Sequence, residues 1–213
     1  MILIPLIRTG ENDELRYCLR GIAQHHPEQE VMIAGHLPQW VRNVQHVPFR
    51  DNQNYEYKTR NIYLKILEAF KHSDRVLFFN DDHFIQAPVD YIHHKGQMTL
   101  AGRNAYGTYA RLLQNTMETF PGCNDYDTHC PIWYERDKFA KLAALDWDRH
   151  YAYGIKTAYC VLNGIEGEHY PDLKFTAKVI ISQTKVRPYF STSDSCDIRP
   201  LAQLYPNKSK FEA

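Results

Sequence analysis

The sequence contains no hydrophobic run long enough to cross a membrane. Its longest uncharged apolar stretches, such as the one from Met1 to Ile7, are far shorter than the roughly 20 residues that a membrane-spanning helix needs. Met1 leads straight into this stretch, without the basic segment and cleavage site of a signal peptide. The sequence therefore predicts a protein with neither a membrane span nor a signal peptide.

An excess of charge of one sign is also absent. Lys and Arg together number 25, and so do Asp and Glu, which gives a formal net charge of zero. This balance argues against a polybasic mode of binding to nucleic acids or membranes.

Cysteines are few, and no C-x-x-C pair occurs. An odd, scattered set of five is typical of reduced thiols and excludes a disulfide scaffold, so we expect a cytoplasmic protein. The five are Cys18, Cys123, Cys130, Cys160 and Cys196.

What the sequence does contain is the composition of a folded protein. Apolar residues make up 44% of the 213 residues and aromatic residues 13%, which excludes disordered and collagen-like chains. We find no internal repeat, no low-complexity tract and no Gly/Ser-rich linker. The sequence therefore predicts one domain over residues 1–213.

Buried strands alternate with amphipathic helices in the first half of the chain. The apolar run Ile2 to Ile7 predicts a strand, and apolar residues at helical spacing predict helices over 15–23, capped by Asn12, and 59–70. This order indicates an α/β fold with a mainly parallel central sheet and helices on both faces, in which ligands bind at the carboxyl ends of the strands. The other expected strands are 31–34, 46–49 and 75–79.

The second half of the chain has a less regular pattern. Helical spacing predicts helices over 109–120, 135–145 and 151–162, and an apolar run predicts a late strand over 178–182.

The segment Asn80-Asp81-Asp82 is the strongest candidate for chemistry. Two adjacent carboxylates directly follow a buried strand, where packing them without a cation is costly. Hard oxygen ligands suit Mg²⁺ or Mn²⁺, either of which would keep positions open for substrate phosphates. The alternative is a turn in which these residues cap His83 or a following helix.

Basic and polar residues near two other strand ends are candidates for binding a nucleotide. Lys58 and Asn61 lie on one side of the helix before the Asp-Asp strand, either beside a diphosphate or on a solvated helix face. Arg8, Thr9 and Gly10 follow the first strand, where backbone N–H groups and a guanidinium would cradle a nucleotide.

Two further segments contain candidate acids, bases and ligands. Asp127 or His129 would take the proton of an attacking hydroxyl, although the same pattern suits an Asx turn. His169 would complete a metal shell with Asp81 and Asp82. The aromatic residues Trp133 and Tyr134 would either stack on a sugar or base or pack in the core.

Several stretches together resemble one branch of a known enzyme family. Residues 12–22 resemble its N-E-L-K/R-Y-S-L-R-S-I helix, residues 37–41 its I-P-x-W-L segment and residues 78–85 its F-N-D-D-x-F-L block. Residues 128–131 are similar to a later H-x-P block. The family is the Stealth-type branch of the GT-A-like nucleotide-sugar transferases.

This resemblance, over roughly residues 12–139, implies a GT-A-like fold and transfer from a nucleotide-sugar donor. Asp81 and Asp82 match the family's metal and diphosphate site, and His129 matches its later active-site histidine. The family's opening block V-Y-T-W-V-D-G is replaced here by Pro5-Leu6-Ile7-Arg8-Thr9-Gly10, without the tryptophan and the acid.

From the residues and the resemblance we predict a metal-dependent glycosyltransferase that uses Mn²⁺ or Mg²⁺. Its acceptor would be a hydroxyl of a glycan or of a hydroxymethylated base in phage-type DNA. One alternative is a Stealth-type sugar-1-phosphate transferase, which releases a nucleoside monophosphate. Another is a non-catalytic module that binds sugars or nucleic acid.

Overall fold

A five-stranded sheet forms the centre of the protein. The structure, a computed structural model, describes residues 1–7, 10–100, 108–185 and 187–213. In spatial order the strands are β3, β2, β1, β4 and β7. Their bounds are β1 Ile2–Leu6, β2 Val31–Gly35, β3 Gln45–Val47, β4 Arg75–Phe78 and β7 Ile132–Glu135.

Four of these strands run parallel, and β7 alone is antiparallel at one edge. Seven helices accompany the strands of the described chain. Their bounds are α1 Asp13–His25, α2 Lys58–Ala69, α3 Thr108–Thr119, α4 Arg136–Ala140, α5 Ile155–Leu162, α6 Ile181–Thr184 and α7 Leu201–Leu204. The predicted α/β fold with a mainly parallel sheet is confirmed.

The central strand β1 packs against helices on both of its faces. Successive side chains of a strand point to opposite faces, so Ile2, Ile4 and Leu6 lie in one apolar cluster while Leu3 lies in another. The first cluster includes Leu15, Cys18, Leu19 and Ile22 of α1. The second includes Tyr63, Ile66 and Ala69 of α2 and Ile155, Ala158 and Tyr159 of α5. Burial on both faces explains why β1 reads as an unbroken apolar run.

Smaller sheets flank the central one. The strands β5 (His83–Ile85), β10 (Tyr189–Thr192) and β9 (Lys174–Phe175) form a three-stranded sheet with β10 in the middle. The strands β6 (His93–His94) and β8 (Glu168–His169) pair in parallel. None of the helices in the described part of the chain is both long and apolar enough to span a membrane.

Three predictions for the second half were wrong in detail. The strand expected over 178–182 is absent: Ile180 is exposed, and α6 begins at Ile181. A short apolar run does not by itself distinguish a strand from a helix. The helix expected over 135–145 starts after β7 and ends as a 3₁₀ turn at 141–144, and the helix expected from residue 151 begins at Ile155.

Candidate active site

A cavity of about 510 Å³ lies at the carboxyl ends of β1 and β4. Pro5 and Ile7 contribute from the end of β1, and Asn80, Asp81 and Asp82 follow β4. Open α/β sheets bind ligands at this edge, and the volume is within the range of roughly 300–1,000 Å³ that is usual for small-molecule sites. The predicted Asp-Asp segment therefore does face a cavity.

The Asp-Asp segment is fixed by partners on both sides. Asn12, whose Oδ1 accepts the N–H of Leu15 and caps α1, donates from Nδ2 to Asp81 Oδ2 at 2.8 Å. The ammonium of Lys174, on β9, lies 3.5 Å from Asp82 Oδ2. One residue, Asn12, thus starts a helix and orients a cavity carboxylate.

The buried imidazole of His83 is hydrogen-bonded to Asn80 and stabilises the turn at residues 80–83. Its Nδ1 accepts the N–H of Asn80 at 3.2 Å, and the N–H of His83 donates to the carbonyl of Asn80 at 3.2 Å. Burial lowers the pKa of His83 well below its ordinary value, so the ring is neutral and can accept this bond.

A second functional group in the cavity wall is His129, which is oriented by Asp172. The Nδ1 of His129 lies 2.6 Å from Asp172 Oδ2, and the N–H of His129 donates to the same carboxylate at 3.2 Å. The ammonium of Lys95 contacts Asp172 Oδ2 at 2.8 Å. Burial opposes the charge on Asp172, but His129 and Lys95 outweigh it and hold the pKa of this carboxyl far below its ordinary value.

These contacts decide the tautomer of His129. An ionised carboxylate only accepts hydrogen bonds, so Nδ1 of His129 is protonated and donates a hydrogen bond to Asp172, and in the neutral ring the lone pair is on Nε2. A histidine oriented by a carboxylate in this way has the geometry that suits a general base.

A buried lysine fixes the loop that carries His129. The Nζ of Lys156, on α5, donates to the carbonyls of Thr128 at 2.7 Å and Cys130 at 2.5 Å, on either side of His129. Burial lowers the pKa of Lys156.

Asp127 has a different position from that of His129. Its Oδ1 accepts the N–H of Lys156 and its Oδ2 that of Thr157, each at 3.3 Å, in the first turn of α5. A Cβ on Gly154 would lie 1.9 Å from Asp127 Oδ2, so the close approach requires glycine there. Asp127 is not among the described residues that line the cavity; it caps a helix.

Another part of the cavity lining is the segment from Asp51 to Asn54, which the sequence did not point to. Asn61 holds this segment by accepting the N–H of Asn52 at 3.1 Å and donating to its carbonyl at 2.9 Å. The fully buried Lys65 contacts Asp51 Oδ2 at 2.8 Å. The other oxygen, Oδ1, is buried and has no hydrogen-bond partner among the described residues.

Two further charged residues of the described lining were missed, Lys174 and Asp194. Asp194 follows β10, a strand with too short an apolar pattern to be recognised, and Lys174 is on the two-residue strand β9. The sequence signal was weak: Lys174 is a charged residue next to Phe175, and Asp194 is an acid between two serines.

Of the predicted nucleotide-binding residues, some line the cavity and others do not. Lys58 and Asn61 line the cavity. Gly10 is exposed and is not among the described lining residues, while Arg8 and Thr9 lie outside the described residues.

His169 is not brought to the two aspartates. It is exposed on β8, with its ring centroid 5.8 Å from that of His94, and is not among the described cavity residues. Trp133 and Tyr134 are not among the described cavity residues either. Tyr134 is fully buried in the core, and Trp133 donates from Nε1 to the carbonyl of Val89 at 2.8 Å.

Within the described ranges, no group of three or more His, Cys, Asp or Glu residues is arranged to hold a metal ion. Asp81 and Asp82 provide carboxylate oxygens at a cavity wall. Such a pair fits a Mg²⁺ or Mn²⁺ ion that takes its remaining ligands from substrate phosphates and water.

Comparisons with known proteins complete the description. No family model matches the chain, and no curated protein matches it in sequence. Among solved structures it is similar to that of an active-site mutant of LgtC, a GT-A-type glycosyltransferase. The two chains are 14% identical, with a TM-score of 0.45, and the match covers 100% of this chain and 85% of the LgtC chain. We transfer no residue role from this likeness of overall shape.

Proposed function

We propose that the protein is a metal-dependent glycosyltransferase that moves a sugar from a nucleotide-sugar donor to an acceptor hydroxyl. The observation that carries the proposal is the convergence of the Asp81–Asp82 pair and the Asp172-oriented His129 on one cavity. The first pair suits a cation and a diphosphate, and the second suits removal of a proton from a hydroxyl. The Stealth-type motifs of the sequence agree with transfer from a nucleotide-sugar donor, the part of the chemistry that both candidate reactions share.

The charges of the cavity suit a diphosphate. Asp81 and Asp82 would hold Mg²⁺ or Mn²⁺, which when bound supplies positive charge to the donor's phosphates and to the departing nucleotide. Lys58 and Lys174, which line the same cavity, would add their ammonium charges to the phosphate oxygens.

Asp51 provides an acceptor for a polar group of the donor. Its buried Oδ1 lacks a partner among the described residues, and leaving such an atom unpaired costs about 1–3 kcal/mol. A hydroxyl or N–H of the bound nucleotide sugar that donates to this oxygen would recover that free energy. This makes Asp51 a binding residue of the proposed site.

His129 would act as the general base. Its Nε2 takes the proton of the acceptor hydroxyl as the oxygen attacks the anomeric carbon, and Asp172 stabilises the imidazolium that forms. The bond between the anomeric carbon and the donor's phosphate oxygen breaks, and a nucleoside diphosphate leaves. General base catalysis of this kind contributes about 10²- to 10⁴-fold to a rate.

The Asp82→Ala variant tests the site. We expect metal-dependent turnover to fall at least about 100-fold while the melting temperature changes little, because Asp82 contributes no apolar packing. Donors are first identified by a thermal-shift screen of nucleotide sugars with and without Mn²⁺, since a ligand at 100 times its Kd adds about 2.7 kcal/mol of stability.

The control is Asp74→Ala, which removes a mostly exposed aspartate next to the opposite end of the same strand, β4. This variant should keep full activity. An Asp82→Ala enzyme that retains metal-stimulated turnover would refute the proposed metal site.

The nucleotide product separates glycosyl transfer from sugar-1-phosphate transfer. Attack at the anomeric carbon releases a nucleoside diphosphate, whereas attack at phosphorus releases a nucleoside monophosphate. Chromatography of the products of one turnover assay distinguishes the two, and we expect the diphosphate.

A further inference from the structure

A second, smaller cavity adjoins the acidic one. It has a volume of about 140 Å³ and shares Tyr55, Lys58 and Ile62 with the wall of the larger cavity. Its other walls include Tyr109, Leu112 and Tyr151. A cavity of roughly 150 Å³ accommodates a single six-membered ring such as benzene. The volume therefore fits one ring of a substrate.

The tyrosines of this cavity are more exposed than is usual for such large side chains. Tyr55 is 58% exposed and Tyr109 is 38% exposed, so both rings have apolar surface that a ligand would cover. Tyr55 precedes α2, and Tyr109 and Leu112 lie on α3. The cavity is thus formed where two helices meet beside the proposed donor site.

Tyr151 is held in a strained conformation. Its φ of 53° lies in the left-handed region, which is costly for a bulky side chain. Three hydrogen bonds hold it: its N–H donates to the carbonyl of Glu56 at 2.8 Å, its hydroxyl to Glu56 Oε1 at 3.0 Å, and Asn115 Nδ2 donates to its carbonyl at 2.8 Å. The ring is therefore fixed before any ligand binds.

We propose that this cavity is the acceptor subsite and that it holds one pyranose ring of a glycan acceptor. The inference rests on the proposed function, because a transferase needs donor and acceptor sites that adjoin. The larger cavity has the carboxylates and lysines that suit a cation and a diphosphate. The smaller one is lined mainly by aromatic and aliphatic side chains, with Glu56, Lys58 and Thr59 as its polar groups. The C–H face of a pyranose is apolar and packs on such walls, and a few polar groups nearby orient its hydroxyls.

Binding is tested with methyl glycopyranosides as acceptor probes and UMP and AMP as nucleotide probes. Saturation-transfer difference NMR measures the binding of each probe to the wild type and to the variants Tyr55→Ala and Tyr109→Ala. At least one pyranoside should bind the wild type, and its affinity should fall about 5- to 10-fold in both variants. Nucleotide binding should stay unchanged in Tyr109→Ala, because Tyr109 lines the smaller cavity and is not among the described residues that line the larger one.

The control is Ile180→Ala, which removes an exposed apolar side chain that lines neither cavity. It should bind every probe as the wild type does. Equal pyranoside affinity in the tyrosine variants and the wild type, or no pyranoside binding at all, would overturn the proposal. So would a loss of nucleotide affinity in Tyr109→Ala, since the smaller cavity would then hold part of the donor.

The measurement of pyranoside binding is independent of the proposed glycosyl transfer. Asp82→Ala turnover and the nucleotide-sugar screen test the transferase site, whereas pyranoside binding requires no turnover. Failure of the one is therefore distinguishable from failure of the other.

Discussion

Two acidic or basic side chains only two residues apart, Asp127 and His129, have different roles because their partners differ. Asp127 accepts backbone N–H groups of α5, whereas His129 lies in the cavity wall with Asp172 behind it. The sequence left the role of base open between them. The contacts favour His129.

In the proposed mechanism Asp172 positions His129, and Asp172→Asn tests this role. We expect kcat to fall by about 10²- to 10³-fold with little change in KM, because the variant no longer stabilises the imidazolium of His129. Steady-state kinetics measures both kcat and KM.

A double-mutant cycle excludes a purely structural role. The variant carrying both Asp172→Asn and His129→Ala should be no slower than His129→Ala alone, since Asp172 acts through His129. Additive losses would contradict the positioning role.

At the scale of the element, the residues that cap the N-termini of helices position the side chains of the cavity. Asn12 caps α1 and contacts Asp81, and Asp127 caps α5, from which Lys156 holds the loop of His129. These capping residues thus position the site, although neither is among the described residues that line the cavity. Substitution of a capping residue should lower the free energy of unfolding more than it lowers the catalytic rate.

Asp127→Ala measures the cap of α5. We expect a loss of about 1 kcal/mol in the free energy of unfolding, measured with urea, because the N–H groups of Lys156 and Thr157 lose their acceptor. Asp127→Asn retains a side-chain oxygen and should lose less. The kcat of folded Asp127→Ala should stay within about threefold of wild type, and a loss comparable to that of His129→Ala would make Asp127 the base instead.

At the scale of the whole molecule, distant segments are tied to one another by ion pairs. Glu212, whose side chain is fully buried, accepts from Arg20 at 2.7 and 2.8 Å and from Arg16 at 3.2 Å, both on α1. Burial opposes the charge on Glu212, but the bonds from Arg20, the Ser209 N–H and Arg16 lower its pKa to about 2 from an ordinary 4.5.

The stability contributed by Glu212 depends on pH. Because its folded pKa is depressed, this contribution is complete above pH 4.5 and is lost as the pH falls towards 2. Glu212→Gln should therefore lower the free energy of unfolding by roughly 2 kcal/mol at pH 7 and by much less at pH 2.5. Urea unfolding at the two pH values measures this, with the exposed Glu28→Gln as control. An equal loss at both values would show that the charge of Glu212 is not the cause.

The sequence by itself determined the α/β alternation, the Asn12 cap and the placement of Asp81 and Asp82 after a buried strand. These follow from local periodicity and from the rule that parallel strands present their carboxyl ends at one edge. Tertiary structure decided the rest: Asp172 lies 43 residues from His129 and Lys174 lies 92 from Asp82. Such pairs form only when strands separated along the chain are brought side by side, and no local pattern records which charges will meet.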